Sequence, residues 1–381
     1  MATINTTRAS LKRRAAVVGV GATQQGFNDR TDYQLAIDAL KQALDDAGLQ
    51  KSSLDGLIGA GAAFGGGMRA QQLARYIGVT PWISGATDYM AGPFTLQYAA
   101  FLVASGACET VACVYASTPP RQNIGKTDAP NVIDPLYGYI NVNAIAGLWW
   151  TQYIARYKPH EDTLGHIVVS ARENGALNPI APGHPPVTLE EYRKDAYIFW
   201  PLRSLDIARV SSGAVAAIVT TPERARDCRK RPVFFEAAGR AETPGTFETP
   251  GHVENRAMRE SARQVFAQAG VAPKDIDILG VSDATTVAVV GALESYGFCE
   301  PGGASELIAA GGIRRDGHIP VNPDGGHLAG GYLVGWTQQV ELVRQLRGEA
   351  GPRQIPDAKL ALHSATGGER ERYLATIYSV D

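Results

Sequence analysis

Cysteine is scarce in this chain, with four thiols in 381 residues, at positions 108, 113, 228 and 299, and no CxxC pair among them. That spacing excludes a zinc ribbon and a disulfide scaffold, and leaves reduced, mostly buried thiols as the expectation. Net charge is nearly absent: 36 basic residues face 38 acidic ones, giving -2. There is therefore no electrostatic case for nucleic acid or an anionic membrane surface as the main partner. No window reaches about 18 uninterrupted apolar residues, so no membrane span is expected. The basic N-terminus "MATINTTRASLKRR" leads into no signal-peptide apolar region, and a cytoplasmic location follows as the expectation. His160, His166, His184, His252 and His318 are dispersed without metal-ligand spacing, so no metal is expected. The glycine-rich run "GAGAAFGGGM" at 59–68 lacks the lysine and spacing of a P-loop.

What is present is a soluble globular balance, 45% hydrophobic and 19% charged, on a chain long enough to bury a large core. "AAVVGVG" at 15–21 predicts a buried strand. The following "TDYQLAIDALKQALDDAGL" puts Leu35, Ala36, Ala39, Leu40, Ala43 and Leu44 at helical spacing, between a cap at Thr31 or Asp32 and a stop at Gly48. "LDGLIGAG" then predicts a second strand. The same order returns in "PVFFEAAG", "ENRAMRESARQVFAQAG" and "IDILGVSD". A shift of 222 residues lays Ala47 and Gly48 on Ala269 and Gly270, and Leu57 on Leu279. Duplication and the shared turn chemistry of α/β chains both account for that match. Either way, the alternation predicts parallel-rich sheets with helices on their faces.

Between the copies, "TPPRQN", "GLWWTQYIARY", "NPIAPGHPPVTLEEY" and "YIFWPLRSLD" bring prolines and aromatics together. This composition is too apolar for disorder and too broken for one sheet, and predicts a lobe over the core that encloses a ligand. The expected division is an N-terminal half at 12–117 plus 207–228, a loop lobe at 118–206, and a C-terminal half at 229–381.

Five segments in order resemble the thiolase superfamily over nearly the whole chain: "DDAGLQKSSLDGLI", "ASGACETVACVYAS", "YKPHEDTLGHIVVSARENGALNP", "SGAVAAIVTTPERA" and "VNPDGGHLAGGYLVG". The resemblance implies an α/β fold of two duplicated halves in a layered αβαβα core, an inserted lobe that receives coenzyme A, and a homodimer. It also makes the missing groups visible. A thiolase forms a thioester on a cysteine, and here Tyr89 stands at that place. Tyr332 stands where the family keeps a histidine, and Ala365 near its second cysteine. Cys108 and Cys113 read as core residues.

That loss, together with Gly325 to Gly335 and "VELVRQLRGEAGPRQIPDAKLAL", resembles the thiolase-like aldolases of the lipid-transfer-protein type, which cleave steroid acyl-CoA side chains. In that family a tyrosine at the position of Tyr332 serves retro-aldol chemistry. A second family tyrosine is replaced here by Ser282, while Asp283 is kept. The resemblance implies a separate OB-fold, zinc-ribbon partner subunit, an acyl-CoA substrate, and no permanently bound cofactor, coenzyme A entering only as part of the thioester. Retro-aldol cleavage of a β-hydroxyacyl-CoA to a ketone or aldehyde and a shorter acyl-CoA is the expected reaction. A thiolase-type acyltransferase and a non-catalytic acyl-CoA-binding subunit are the alternatives.

Such cleavage needs a base for the β-hydroxyl proton and donors for the enolate, but no nucleophilic cysteine. A tyrosine of ordinary pKa near 10 is phenolate in about one molecule in a thousand at pH 7, so Tyr332 needs help from its surroundings. His327 is the candidate to tune that phenol or relay its proton. Gly325, Gly326, Gly330 and Gly331 are candidates to let backbone approach the thioester. His363, read as following a strand, is a candidate donor to the thioester oxygen or a loop histidine bonded to backbone. Asp283 orients a neighbour or caps a helix starting at Thr285. Tyr332 itself reads either as the base or as a phenol closing the core, and Tyr89 as a substrate-side group or a plug in the space of the lost thiol.

Overall fold

Two glycines in the first strand decide how closely its helix can lie. A side chain on Gly19 or Gly21 of β1 (Ala16–Ala22) would overlap the backbone of α1 (Asp32–Ala47), so the bare strand surface lets the helix pack directly on it. The helix begins and ends as its sequence predicts: Thr31 and Gln34 form a reciprocal capping box, and Gly48 closes it in the left-handed conformation. Next come β2 (Gly56–Ala60), α2 (Ala70–Ile77), β3 (Ile83–Thr87), α3 (Gly92–Ala104) and β4 (Thr110–Ser117). The computed structural model describes residues 10–60, 68–87, 92–119, 142–242, 255–366 and 372–381.

The lobe follows with α4 (Val142–Tyr157), α5 (Thr163–Ala176), α6 (Leu189–Lys194) and a small hairpin of β5 (Tyr197–Phe199) and β6 (Leu202–Arg203). The chain returns through β7 (Gly213–Thr220) and a short helix α7 (Pro222–Ala225). The C-terminal half then runs β8 (Val233–Glu242), α8 (Arg256–Ala269), β9 (Ile278–Val281), α9 (Val287–Ser295), α10 (Ala304–Ala309), α11 (Trp336–Arg347), β10 (Leu360–Thr366) and β11 (Arg372–Ser379). Gly239 of β8 lies under the backbone of α8 as Gly19 and Gly21 lie under α1.

Strand order makes the duplication explicit. The nine strands run β3-β2-β4-β7-β1-β8-β11-β10-β9. Counting outward from the β1–β8 junction, both halves place their first strand, then their last, then the strand after the buried helix, then their second. Val321 extends the C-terminal half at the position of β3, bridging Leu279 in parallel. The sheet is mixed rather than parallel-rich, because the last strand of each half enters antiparallel between two others. Parallel pairing is confined to β2 with β3 and β4, and β9 with β10.

Alternation along the strands generates the layers. On β4, Ala112, Val114 and Ala116 face the outer cluster under α1, whereas Val111, Cys113 and Tyr115 face inward. The inward cluster joins strands of both halves, Val17 and Val215 with Phe235, Ala361 and Tyr378, around Leu96 and Val103 of α3 and Trp336 and Val340 of α11. A third cluster packs α8 and α9 on the far face of the C-terminal half. The two halves of this sheet thus enclose a central helix layer and carry helices outside, which is the αβαβα arrangement. The described part of the lobe is largely helical, and Trp150, Tyr153, Leu164 and Ile167 pack it onto this third cluster.

At the centre, α3 and α11 meet near their N-termini. A side chain on Gly92 would overlap Trp336, which itself stacks on Tyr115 at 5.9 Å.

Candidate active site

Four segments converge beside the start of α11. The turn that begins at Asn322 is locked to the end of β9 by the Asn322 carboxamide, which accepts from Val281 N–H at 2.7 Å and donates to Val281 carbonyl at 3.0 Å. Asn322 adopts a φ of 46°, a left-handed conformation that asparagine tolerates. Gly326 to Gly330 then form a π-helical turn. Asp283 lies against this turn and accepts the His327 backbone N–H at 2.6 Å. A side chain on Gly326 would overlap the Asp283 carboxylate, which is the reason for glycine there. Gly325 is pressed onto Gly175 of α5, and Gly331 onto Gln25. The Gly325 and Gly326 amides are engaged within the turn, donating to Asn322 carbonyl and Asp324 Oδ1.

The imidazole of His327 faces the helix end. Its Nε2 accepts the Gly335 N–H at 2.6 Å, which places the proton of the neutral ring on Nδ1. Nδ1 stands 3.9 Å from Asp283 Oδ1, beyond hydrogen-bond length. The ring lies against Tyr332, with centroids 4.7 Å apart and planes tilted by 60°. Across the same helix end, His363 is fully buried in the middle of β10, between Gly280 and Thr376 of the neighbouring strands. Ser282 Oγ and His363 Cε1 lie 2.5 and 3.6 Å from where a side chain on Gly335 would begin, and Pro93 of α3 lies at 3.3 Å. Among the described residues, Ser282 Oγ, His327 Nδ1 and both nitrogens of His363 have no hydrogen-bond partner.

Burial sets the electrostatics. It pushes the His327 pKa down to about 3, with the nearby His363 adding to the effect, and that of His363 down to about 3. Both rings are therefore neutral at ordinary pH. Burial drives Asp283 well above the usual carboxylate range. Asp324 rises to about 7, first by burial and then by the charge of Glu341, which Arg353 holds in a buried two-point ion pair. The site contains hydrogen-bonding groups with little standing charge.

No thiol belongs to it. Cys108 is pushed up to about 11 by burial and the charge of Asp55, and Cys113 is also raised by burial, in the inner cluster beneath α3. Both behave as core residues.

Residues 241–380 match the family model for the thiolase C-terminal domain. A 17-hydroxy-3-oxo-4-pregnene-20-carboxyl-CoA lyase of Mycobacterium tuberculosis is 31% identical over 361 residues, spanning 89% of this chain and 92% of the relative. The chain belongs to the aldolase branch of the thiolase superfamily. A steroid side-chain-cleaving aldolase of Thermomonospora curvata is 30% identical, over 88% of this chain and 90% of that one. Among solved structures, the Ltp2-ChsH2(DUF35) aldolase superposes with a TM-score of 0.88 at 28% identity, covering 98% of this chain and 99% of its own.

In this aldolase the fold gathers Ser282, Asp283, His327, Tyr332 and His363 from segments distant in sequence. Tyr89 lies outside the described residues. Two local expectations are corrected. His363 sits within its strand, because its imidazole fits over the bare Cα of Gly280. Asp283 caps no helix: α9 starts at Val287 after Thr286, whose hydroxyl donates to Asp206, and the Asp283 carboxylate turns to the His327 amide instead. Ser211, which accepts the Tyr332 N–H, Gln338, whose carboxamide donates to Asp283 Oδ1 at 3.4 Å, Gln25 and Pro93 carry no signal in the sequence. For Asn322 the sequence does carry a signal, since an Asn-Pro pair just before two glycines marks a constrained turn.

Among the described residues no cluster of histidine, cysteine or carboxylate side chains is arranged to hold a metal ion. No helix among them is long and apolar enough to cross a membrane.

Proposed function

We propose that this aldolase cleaves a β-hydroxyacyl-CoA thioester by a retro-aldol reaction, giving a ketone or aldehyde and a shorter acyl-CoA. The observation that carries the reading is that Ser282 and His363, without hydrogen-bond partners among the described residues, meet at Gly335, whose amide is held by the His327 ring packed on Tyr332, with no thiol among them. In the reaction the phenolate form of Tyr332 takes the β-hydroxyl proton. As the new carbonyl forms, the Cα–Cβ bond breaks and its electron pair passes to the thioester as an enolate. An N–H of neutral His363 and the hydroxyl of Ser282 donate to the enolate oxygen, and the proton returns to Cα. Preorganised donors of this kind in a dry pocket are typically worth about 100-fold or more in rate.

His327 supports the phenol by position rather than by charge, since its ring is neutral and its Nε2 is committed to Gly335. Asp283 fixes the turn that carries it. The glycine arc from Gly325 and Gly326 to Gly330 and Gly331 forms the floor for the thioester. The relatives' names favour a bulky steroid acyl group. The DUF35 component named with the solved relative favours a partner subunit of the OB-fold, zinc-ribbon type. A homodimer would form through β3, the end strand of the sheet, beside Trp82, which is 82% exposed, and Tyr98 and Phe101 of α3.

Ser282, in place of the family's second tyrosine, favours one other reading, an acyl-CoA-binding subunit whose partner performs the chemistry. Protein purified alone and with a co-expressed DUF35 partner, incubated with a steroid β-hydroxyacyl-CoA and followed by mass spectrometry, separates the two. Cleavage removed by Tyr332→Phe is expected. No carbon–carbon cleavage in either preparation would defeat the aldolase reading.

A further inference from the structure

We propose that Ser211 is a positioning residue for Tyr332, acting through the tyrosine's backbone, with Gln25 as the wedge that holds the preceding glycine in place. The functional consequence rests on the aldolase reading; the structural one does not.

Tyr332 sits in an arc with an unusual backbone. Gly331, Val334 and Gly335 have φ values of 118°, 44° and 82°, so three of the five residues from 331 to 335 lie at positive φ. Neither helix nor sheet ladder holds this arc. Among the described residues its one strand-like contact is a bridge between Tyr332 and Val210. Two of its amides are taken by side chains instead: Gly335 N–H by His327 Nε2, and Tyr332 N–H by Ser211 Oγ at 2.9 Å.

Ser211 is suited to that task because its own span is fixed at both ends. Ala208 donates to Ala284 at 3.0 Å, one residue after Asp283, and Ser212 exchanges two 3.0 Å backbone bonds with Gly26. Ser211 is buried, 3% exposed, where water cannot replace its hydroxyl. Beneath the arc, Gln25 Cβ and Cγ lie 2.9 and 2.8 Å from where a Gly331 side chain would begin, and its amide packs on Gly213. Gln25 Nε2 is tied to Thr23 carbonyl at 2.7 Å. The Gly331–Tyr332 peptide is thus held at the Tyr332 amide by a hydroxyl and at Gly331 by the aliphatic stem of Gln25. Because Gly331 has no side chain to restrict it, loss of the Ser211 bond frees this peptide to rotate, and the phenol moves with it.

Displacement by about 1 Å from a reacting group costs on the order of 100-fold in rate with little effect on binding. Ser211→Ala is therefore expected to lower kcat about 10- to 100-fold with KM changed less than about 3-fold, and Ser211→Thr to recover most of the loss. In a Tyr332→Phe background Ser211→Ala should add no further loss. Should the wild type cleave no thioester, the aldolase reading fails, and this inference is read instead by NMR of protein labelled with 13Cζ-tyrosine. The Tyr332 line, assigned by its absence in Tyr332→Phe, is expected to shift or split in Ser211→Ala while the other tyrosine lines stay. An unmoved Tyr332 line, a kcat unchanged in an active enzyme, or an equal further loss in the Tyr332→Phe background overturns the proposal.

Discussion

The two halves of this aldolase share one topology and contribute unequally to the centre. Helices α3 and α11 occupy equivalent places between the sheets, and Gly92 at the head of one rests on Trp336 at the head of the other. Around α3 the described groups are mainly apolar or inert: Pro93, Phe94, the raised thiol of Cys113 and the ring of Tyr115. Around α11 stand Ser282, Asp283, Asp324, His327, Tyr332 and His363, nearly all buried, several with strongly displaced pKa values. Duplication supplied the scaffold twice; among the described residues the buried polar side chains named here gather around α11. A superposable framework offers two equivalent helix heads, and among the described residues the groups with displaced pKa values stand mostly at the head of α11.

That asymmetry is open to test. Tyr332→Phe should lower turnover by about 1000-fold while leaving the melting curve in place, as removal of a general base does; a survivor with near-normal kcat would move the base elsewhere. Gly326→Ala should lose about 3 kcal/mol in a denaturant titration, because the new methyl meets the Asp283 carboxylate at a φ of 60°. His363→Gln should reduce kcat by about 100-fold with KM little altered, in steady-state assays across pH 6 to 8.

The same variant tests the electrostatics. A histidine held near a pKa of 3 when folded and about 6.5 when unfolded contributes stability that is fully present above pH 6.5 and lost as pH falls toward 3. Wild type should therefore lose about 1.4 kcal/mol more than His363→Gln for each pH unit below 6.5. Asp324 works in the opposite direction, since its raised pKa favours the fold most below about pH 4 and that contribution fades as pH rises through 7. It is common to both proteins, so it cancels from the difference between their urea midpoints at pH 6.5 and 5. In the other half, Cys113→Ala should lose only about 1 to 2 kcal/mol of stability through a small cavity and keep its turnover. A large fall in kcat there would show that the chemistry is shared between the halves.

Much of the framework was legible in the chain itself. The Thr31 cap, the Gly48 and Gly270 stops and the apolar spacing of α1 lie within a few residues of the structures they specify. The resemblance marked the Tyr332 turn before any coordinates. The site's wiring was not legible. Asp283 meets the His327 amide across 44 residues of sequence, and Ser211 meets Tyr332 across 121. Nothing local in "SDATT" distinguishes an aspartate that caps a helix from one that turns away to support a distant loop, because both uses begin with the same carboxylate at the end of a strand.

The order of residues alone determined the leading strands and helices and placed Tyr89, not a cysteine, before α3, since propensity, capping and periodicity act over a few neighbours. Tertiary structure alone decided that His327 and His363 would be neutral and that Ser282 would stand beside His363 at the head of α11. Both follow from the removal of water around groups brought together from separate strands and turns, and desolvation is a property of the packed neighbourhood that no single segment possesses.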